Sequence, residues 1–209
     1  MLVTQRRDTP LDEYLAFIHT CSEAGITSVQ LREKAEPFDK RLQMGLAIKR
    51  ILDPLQIPLI INDDIKLALA LDASGVHLGQ TDGHPRLARN ALGPNKLIGV
   101  SVDTLDQLML ANELPINYVG VGAIFTTKNK PDVTTLWGLD GLKTMAHQSL
   151  HPVVGIGGIH EDNAADVLSC GADGIAVISA LHDAKHPGDI ARLLHQTILT
   201  GVKHHDRCT

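Results

Sequence analysis

The 209-residue sequence has few aromatic side chains, no excess of positive charge and no long apolar run. Aromatic residues make up 3% of the chain, and the formal net charge is −5. Proteins that bind single-stranded nucleic acid stack its bases on aromatic side chains. Proteins that bind duplex nucleic acid or anionic membranes do so through many Lys and Arg side chains that are not balanced by acidic ones. No segment approaches the ~20 apolar residues that a membrane helix needs. We therefore expect neither a nucleic-acid partner nor a membrane partner, and leave a homo-oligomer open.

Cysteine is also scarce. Cys21, Cys170 and Cys208 lie far apart, are odd in number and form no metal-spaced pair, which fits a reducing compartment. The N-terminal segment MLVTQRRDTP lacks the apolar core of a secretory signal. We expect a cytoplasmic protein made of one domain over residues 1–209, with about 204–209 as a flexible tail.

Short β-rich segments alternate with amphipathic helical segments along nearly the whole chain. Continuous apolar strands are typical of a parallel sheet covered by helices. Eight such units in ~200 to 250 residues predict an α/β fold of the (β/α)8 barrel type, and a doubly wound open sheet is the alternative. The predicted strands are 1–5, 27–33, 57–63, 75–80, 96–102, 117–125, 152–158 and 174–180.

The segment QLREK, residues 30–34, ends the second predicted strand. Side chains alternate across a strand, so Gln30, Arg32 and Lys34 share one face. Two cations on one wall favour an anionic ligand. The alternative is a strand end that carries charge because it reaches water.

Asp63 and Asp82 follow neighbouring predicted strands, at the rim where barrels place their functional groups. Their oxygen donors suit Mg²⁺ and leave coordination positions for water and substrate phosphate. The alternatives are helix capping for Asp63, which Asp64 could supply equally well, and a turn role for Asp82. Together with the cations of residues 30–34 and Lys130, the two carboxylates describe a pocket for a diphosphate bound through Mg²⁺.

A second anion site is predicted after the seventh and eighth strands, where barrels commonly bind phosphate through backbone N–H groups. Gly157 and Gly158 end the seventh predicted strand, and Ile178 and Ser179 lie at the end of the eighth. The alternative is that the glycines only form a tight turn and Ser179 only begins a helix. Two anion sites indicate two phosphorylated small-molecule substrates.

The chain resembles the thiamine phosphate synthase family over essentially its whole length. The resemblance rests on QLREK, INDDIKLALALDASGVHLGQTD, IGVSV, YVGVGAIFTTKNK, VVGIGGI and GADGIAVISA, which occur in the family's order and approximate spacing. It implies a Mg²⁺-dependent transferase that joins 4-amino-5-hydroxymethyl-2-methylpyrimidine diphosphate to a thiazole or carboxythiazole phosphate, giving thiamine phosphate and pyrophosphate. It also implies that pyrophosphate leaves first and that the thiazole nitrogen captures the resulting pyrimidinylmethyl cation, so no protein nucleophile is required.

The resemblance further implies a role for each matching residue. The catalytic set is Arg32, Lys34, Ser101 and Lys130. The set that binds the pyrimidine diphosphate is Gln30, Leu31, Arg32, Glu33, Lys34, Asn62, Ser101 and Lys130. The set that binds the thiazole phosphate is Thr127, Lys128, Asn129, Gly158, Ile178 and Ser179, and the Mg²⁺ ligands are Asp63 and Asp82.

Two positions depart from the family pattern: Asn129 stands where a Thr is usual, and Asp103 where many relatives have His. A sister group with the same barrel includes thiazole tautomerases and apparent regulators. A tautomerase, or a non-catalytic sensor of a phosphorylated ligand, could dispense with the diphosphate and metal residues. This chain retains them, which favours the synthase.

His182 and His186 are four residues apart, a spacing that invites a zinc interpretation. They lie in the segment HDAKHPGD, whose proline interrupts a helix, and no third ligand is in view. We expect both side chains on a solvated surface.

Overall fold

Eight parallel strands form the centre of the protein in a computed structural model that describes residues 1–128 and 135–202. Each strand pairs with the next in chain order, and a parallel bridge between Leu2 and Val177 joins the last strand to the first. The predicted (β/α)8 barrel is confirmed, and the open sheet is excluded. The strands are β1 (Leu2–Val3), β2 (Val29–Leu31), β3 (Leu59–Asn62), β4 (Gly75–Leu78), β5 (Leu97–Val102), β6 (Tyr118–Val121), β7 (Val153–Ile156) and β8 (Gly174–Ala176).

Helices follow the strands and cover the outside of the barrel. A short 3₁₀ helix, Asp53–Leu55, precedes β3. In the described ranges, no helix is long and apolar enough to span a bilayer. The helices are α1 (Leu11–Glu23), α2 (Phe38–Leu52), α3 (Ile65–Ala70), α4 (Pro85–Leu92), α5 (Leu105–Asn112), α6 (Gly138–Gln148), α7 (Ala164–Ser169), α8 (Ser179–His182) and α9 (Pro187–Val202).

Alternation along each strand divides the side chains between two environments. On β5, Ile98, Val100 and Val102 are buried in the apolar layer beneath the helices. Ser101 lies between the last two of them and faces the barrel interior, where it lines a cavity. The apolar layer therefore holds the barrel together, while the inward positions remain available for polar side chains.

Two inward-facing glycines make room for large polar side chains inside the barrel. A Cβ atom at Gly99 would collide with the ring of Tyr118, and one at Gly120 would lie 3.0 Å from Cε1 of His77. Both neighbours are nearly inaccessible to solvent, with 9% exposure each. The barrel interior below the cavity is thus filled by a histidine and a tyrosine as well as by aliphatic residues.

Candidate active site

A cavity of about 500 Å³ opens at the carboxyl ends of the strands. This is the rim at which the sequence places the functional residues. The predicted site residues that line the cavity are Gln30, Arg32, Lys34, Asn62, Asp63, Asp82, Ser101, Thr127, Gly158, Ile178 and Ser179.

Three predicted binding residues do not line this cavity. Leu31 is 2% exposed and packs in the apolar layer outside β2. Glu33 accepts a hydrogen bond from the backbone N–H of Arg6, 3.0 Å from its Oε1 atom. Leu31 and Glu33 point away from the cavity because they alternate with Gln30, Arg32 and Lys34. The third residue, Lys128, is exposed. Asn129, Lys130 and the 204–209 tail lie outside the described residues.

The cationic wall keeps its alternation beyond the end of β2. The strand ends at Leu31, yet Arg32 and Lys34 both face the cavity. The Arg32 backbone N–H donates to Oγ1 of Thr4, 2.9 Å away, and Thr4 is fully buried. The ammonium group of Lys34 lies 2.9 Å from Oδ2 of Asp63. The hydrogen bond to Thr4, the residue after β1, therefore extends the side-chain alternation of β2 beyond its last residue.

The two predicted metal ligands lie beside each other, and the capping role belongs to their neighbour. Oδ1 of Asp64 accepts from the Leu67 N–H at 2.9 Å and caps α3, so the Asp63 carboxylate is not used for capping. Asp63 has a left-handed backbone, with φ of 65°. Oδ2 of Asp82 accepts from the Gly79 N–H at 2.9 Å, so this residue does hold a turn.

The electrostatics of this pair suit a bound cation. Burial raises the pKa of Asp82, and the hydrogen bond and negative charge of nearby Asp63 raise it further. A divalent cation would relieve this repulsion, and carboxylate oxygens are the donors that Mg²⁺ prefers. Across residues 1–128 and 135–202, no cluster of three or more His, Cys, Asp or Glu has the geometry of a metal site. Asp63 and Asp82 could therefore hold Mg²⁺ only if water or substrate oxygens complete its coordination.

A buried histidine, His77, contacts the Ser101 hydroxyl from inside the barrel. It is not among the site residues predicted from the sequence. Nε2 of His77 lies 2.9 Å from Oγ of Ser101, and Nδ1 lies 3.0 Å from the Tyr118 hydroxyl. Burial lowers the pKa of His77 to about 4, so the ring is neutral at pH 7. The sequence does indicate the direction of this side chain, because His77 alternates with Gly75 and Gly79 and so shares the inward face of β4 with them.

This burial makes stability depend on pH. In the unfolded chain His77 takes up a proton near pH 6.5, whereas the folded form resists protonation down to about pH 4. The unfolded state thus binds more protons in this window, and the stabilisation present above pH 6.5 is lost as the pH falls. We expect the free energy of unfolding to drop by roughly 1 to 2 kcal/mol more in the wild type than in His77→Gln between pH 7 and pH 5.

Urea unfolding at both pH values measures this difference. His186→Gln changes an exposed histidine and should retain the wild-type pH dependence. An identical dependence in the wild type and in His77→Gln would show that this ring is not held neutral.

The glycine turn on the opposite wall is required by its backbone. Gly157 and Gly158 have φ of 102° and 64°, a region that other residues rarely adopt. A Cβ atom at Gly158 would lie 2.7 Å from both Cβ of Phe125 and the carbonyl oxygen of Thr126. The tight-turn interpretation is therefore correct, and the turn also lines the cavity.

The end of β8 likewise begins a helix and lines the cavity. Ser179 begins α8 and also lines the cavity next to Ile178. The expectation of a solvated His182 is wrong: its Nδ1 lies 2.8 Å from the Ile178 carbonyl oxygen, and its Nε2 lies 2.8 Å from the Tyr14 hydroxyl. The ring is turned inward because the short helix α8 ends at this residue and directs it toward α1.

The fold and the cavity define the class as a (β/α)8-barrel enzyme whose site lies at the carboxyl ends of the strands. A sequence profile of the thiamine monophosphate synthase family matches residues 1–181. The chain belongs to this family, whose members are transferases of thiamine biosynthesis.

Individual relatives agree with this assignment. The thiamine-phosphate synthase of Chlamydia caviae is 50% identical over 203 residues, covering 97% of this chain and 96% of the relative. That of Vibrio parahaemolyticus is 40% identical over 194 residues, covering 93% and 94%. The solved structure of thiamine phosphate pyrophosphorylase from Pyrococcus furiosus superposes with a TM-score of 0.87 at 32% identity, covering 96% and 95%.

Proposed function

We propose that the protein condenses 4-amino-5-hydroxymethyl-2-methylpyrimidine diphosphate with a thiazole or carboxythiazole phosphate, and releases thiamine phosphate and pyrophosphate in a Mg²⁺-dependent reaction. The observation that carries this proposal is the composition of the cavity. One side combines two cations with the Asp63–Asp82 pair, and the other combines the Gly157–Gly158 turn with Ile178 and Ser179. Family membership supports the same substrates.

The diphosphate lies on the side formed by β2, β3 and β4. Arg32 and Lys34 face it, and the amide side chains of Gln30 and Asn62 line the same region. Before substrate binds, Lys34 pairs with Asp63. A bound diphosphate would compete for this ammonium group and leave the Asp63 carboxylate free to share a cation with Asp82. When Mg²⁺ is bound there, it neutralises negative charge on the diphosphate oxygens.

The phosphate of the thiazole substrate lies on the opposite side, against Thr127, Gly158, Ile178 and Ser179. Backbone N–H groups in such turns bind phosphate without a full positive charge. The two anions are thereby kept apart, and the reactive carbon and nitrogen atoms meet between them. Lys130 and Asn129 retain the roles that the resemblance implies, as predictions.

The reaction breaks the bond between the pyrimidine methylene carbon and a diphosphate oxygen, and forms a bond from that carbon to the thiazole nitrogen. Negative charge grows on the departing pyrophosphate, so Arg32 and Lys34 stabilise the transition state more than the ground state. Ser101 lies at the cavity wall, with its hydroxyl oriented by His77. No side chain needs to act as a nucleophile.

Purified protein mixed with both substrates and Mg²⁺ should form thiamine phosphate, which oxidation converts into a fluorescent product. Omitting either substrate should abolish the signal. A chelator should remove the activity, and excess Mg²⁺ should restore it, because the carboxylate pair needs the cation to assist the leaving group. Absence of product with both substrates present would refute the proposed function, and full activity with chelator would refute its Mg²⁺ dependence.

A further inference from the structure

A chain of polar groups behind β1 connects the two sides of the cavity. The Arg32 N–H contacts Oγ1 of Thr4 at 2.9 Å, and the Thr4 side chain lies beside the hydroxyl of Tyr14. The Tyr14 hydroxyl lies 2.8 Å from Nε2 of His182, whose Nδ1 lies 2.8 Å from the carbonyl oxygen of Ile178. We call these contacts the Thr4–Tyr14–His182 chain. It joins a residue of the diphosphate side to a residue of the thiazole-phosphate side.

The proton positions in this chain follow from its partners. The Ile178 carbonyl only accepts, so Nδ1 of His182 carries a hydrogen. The backbone N–H of Gln5 is shared between the Tyr14 hydroxyl, 3.0 Å away, and Nε2, 3.2 Å away, so Nε2 is an acceptor. Tyr14 then donates to His182. The two bonds on either side of the imidazole therefore run in one direction, an arrangement in which each bond polarises the next.

Burial keeps these side chains in a largely apolar environment. Thr4 is fully buried and Tyr14 is 2% exposed. The Phe17 ring packs beside Tyr14 and His182, with its centroid 4.8 Å from that of His182 and 5.5 Å from that of Tyr14. Burial lowers the pKa of His182, in agreement with a neutral ring. The imidazole therefore has one position and one tautomer.

The contact between His182 and Ile178 helps to set the direction of the next N–H group. In a trans peptide, the carbonyl of one residue and the N–H of the following residue point in opposite directions. His182 holds the Ile178 carbonyl on the side away from the cavity, which directs the N–H of Ser179 toward the cavity that this residue lines. The Ile178 carbonyl oxygen also accepts from the backbone N–H groups of Leu181 and His182, at 3.2 and 3.1 Å, so the imidazole is its third contact. Loss of the imidazole contact would loosen the alignment of this peptide without releasing it from α8.

We propose that Tyr14 and His182 are positioning residues that orient the Ile178–Ser179 peptide for the phosphate of the thiazole substrate. The inference rests on the proposed function, which places that phosphate at this turn. Neither side chain lines the cavity, so both act through the peptide and not by contact with substrate.

Steady-state kinetics of His182→Leu and His182→Asn test the proposal. His182→Leu should raise KM for the thiazole phosphate about 5- to 10-fold, the effect of one misplaced hydrogen bond, and change KM for the pyrimidine diphosphate less than about twofold. The amide of His182→Asn can place a donor near the Nδ1 position, so this variant should recover most of the loss. Tyr14→Phe should shift the same KM in the same direction, because it removes the hydroxyl and keeps the ring.

Phe17→Leu is the matched control, since it loosens the same ring cluster without removing a polar atom. It should lower the thermal midpoint and leave both KM values within about twofold of the wild type. If His182→Leu raised both KM values equally, or changed only the thermal midpoint, the residue would be structural and the proposal would be overturned.

Two measurements decide the proposal without turnover. Nitrogen NMR of the ¹⁵N-histidine-labelled protein should show His182 neutral and protonated at Nδ1, and Tyr14→Phe should shift its Nε2 signal; an Nε2-protonated ring would overturn the proposal. Inorganic phosphate should bind about 5- to 10-fold more weakly to His182→Leu than to the wild type, and equal binding would count against it. Failure to form thiamine phosphate would instead refute the proposed function.

Discussion

Replacing Asp63 or Asp82 with Asn should lower the maximal rate about 100- to 1,000-fold while the protein stays folded. Asn has the same shape, and the amide oxygen of Asp82→Asn can still accept the Gly79 N–H bond that holds the turn. If the pair holds Mg²⁺ as proposed, the lost charge would remove a ligand of the ion, and with it stabilisation of the departing pyrophosphate. Steady-state rates over a range of Mg²⁺ concentrations measure the effect, and the concentration giving half-maximal activity should rise in both variants.

Asp64→Asn is the matched control because it changes the neighbouring carboxylate. Its amide oxygen can retain the cap on α3, although the ion pair with Arg41, 3.0 Å long in the wild type, is lost. We expect somewhat lower stability with nearly wild-type turnover and Mg²⁺ dependence. Equal turnover in Asp63→Asn and Asp64→Asn would exclude Asp63 as a metal ligand.

The sequence was sufficient to predict the barrel and one wall of its cavity. The predictive features are local: each strand is a short apolar run, and the alternation in QLREK places Gln30, Arg32 and Lys34 on one face. That alternation also places Leu31 and Glu33 on the opposite face. The QLREK motif therefore contains two side chains that the alternation directs away from the cavity.

The choice between Asp63 and Asp64 could not be made from the sequence, because either carboxylate can cap a helix that starts at Ile65. The structure resolves it through backbone geometry: Asp64 has an extended backbone, while Asp63 is left-handed and faces Lys34. For Gly158 and Ser179, the structural and functional interpretations do not exclude each other, since a residue that forms a turn or begins a helix at the barrel rim can also line the cavity.

The contacts that sequence reasoning missed join residues distant along the chain. His77 meets Tyr118 across 41 residues, and Tyr14 meets His182 across 168 residues. No periodicity within a segment encodes such pairs, because they depend on the closure of the barrel and on which helix covers each strand. Alternation in β4 can indicate that His77 faces inward, but it does not identify Tyr118 as its partner. At the end of a four-residue helix, His182 has the same local pattern whether it is exposed or buried.

Replacing Arg32 with Ala should reduce the maximal rate about 100- to 1,000-fold, with little change in the affinity for the thiazole phosphate. Arg32 faces the cavity on the diphosphate side, and its charge matters most as negative charge accumulates on the leaving oxygens. Its backbone N–H is held by Thr4, and Ala keeps that bond, so the segment should retain its path. Lys130→Ala should act in the same way if Lys130 has the role that the resemblance implies.

Arg41→Ala serves as the control for this prediction, because Arg41 pairs with Asp64 and does not line the cavity. Rates should be measured at saturating concentrations of both substrates, beside calorimetric titrations of each variant with each substrate. Arg32→Ala should weaken binding of the pyrimidine diphosphate much less than it lowers the rate, since in the proposed complex the ground-state diphosphate would retain its contacts with Lys34 and with Mg²⁺ held by the carboxylates. A loss confined to thiazole-phosphate binding would mean that the two substrate sites are assigned to the wrong sides of the cavity, because Arg32 would then contact the phosphate of the thiazole substrate.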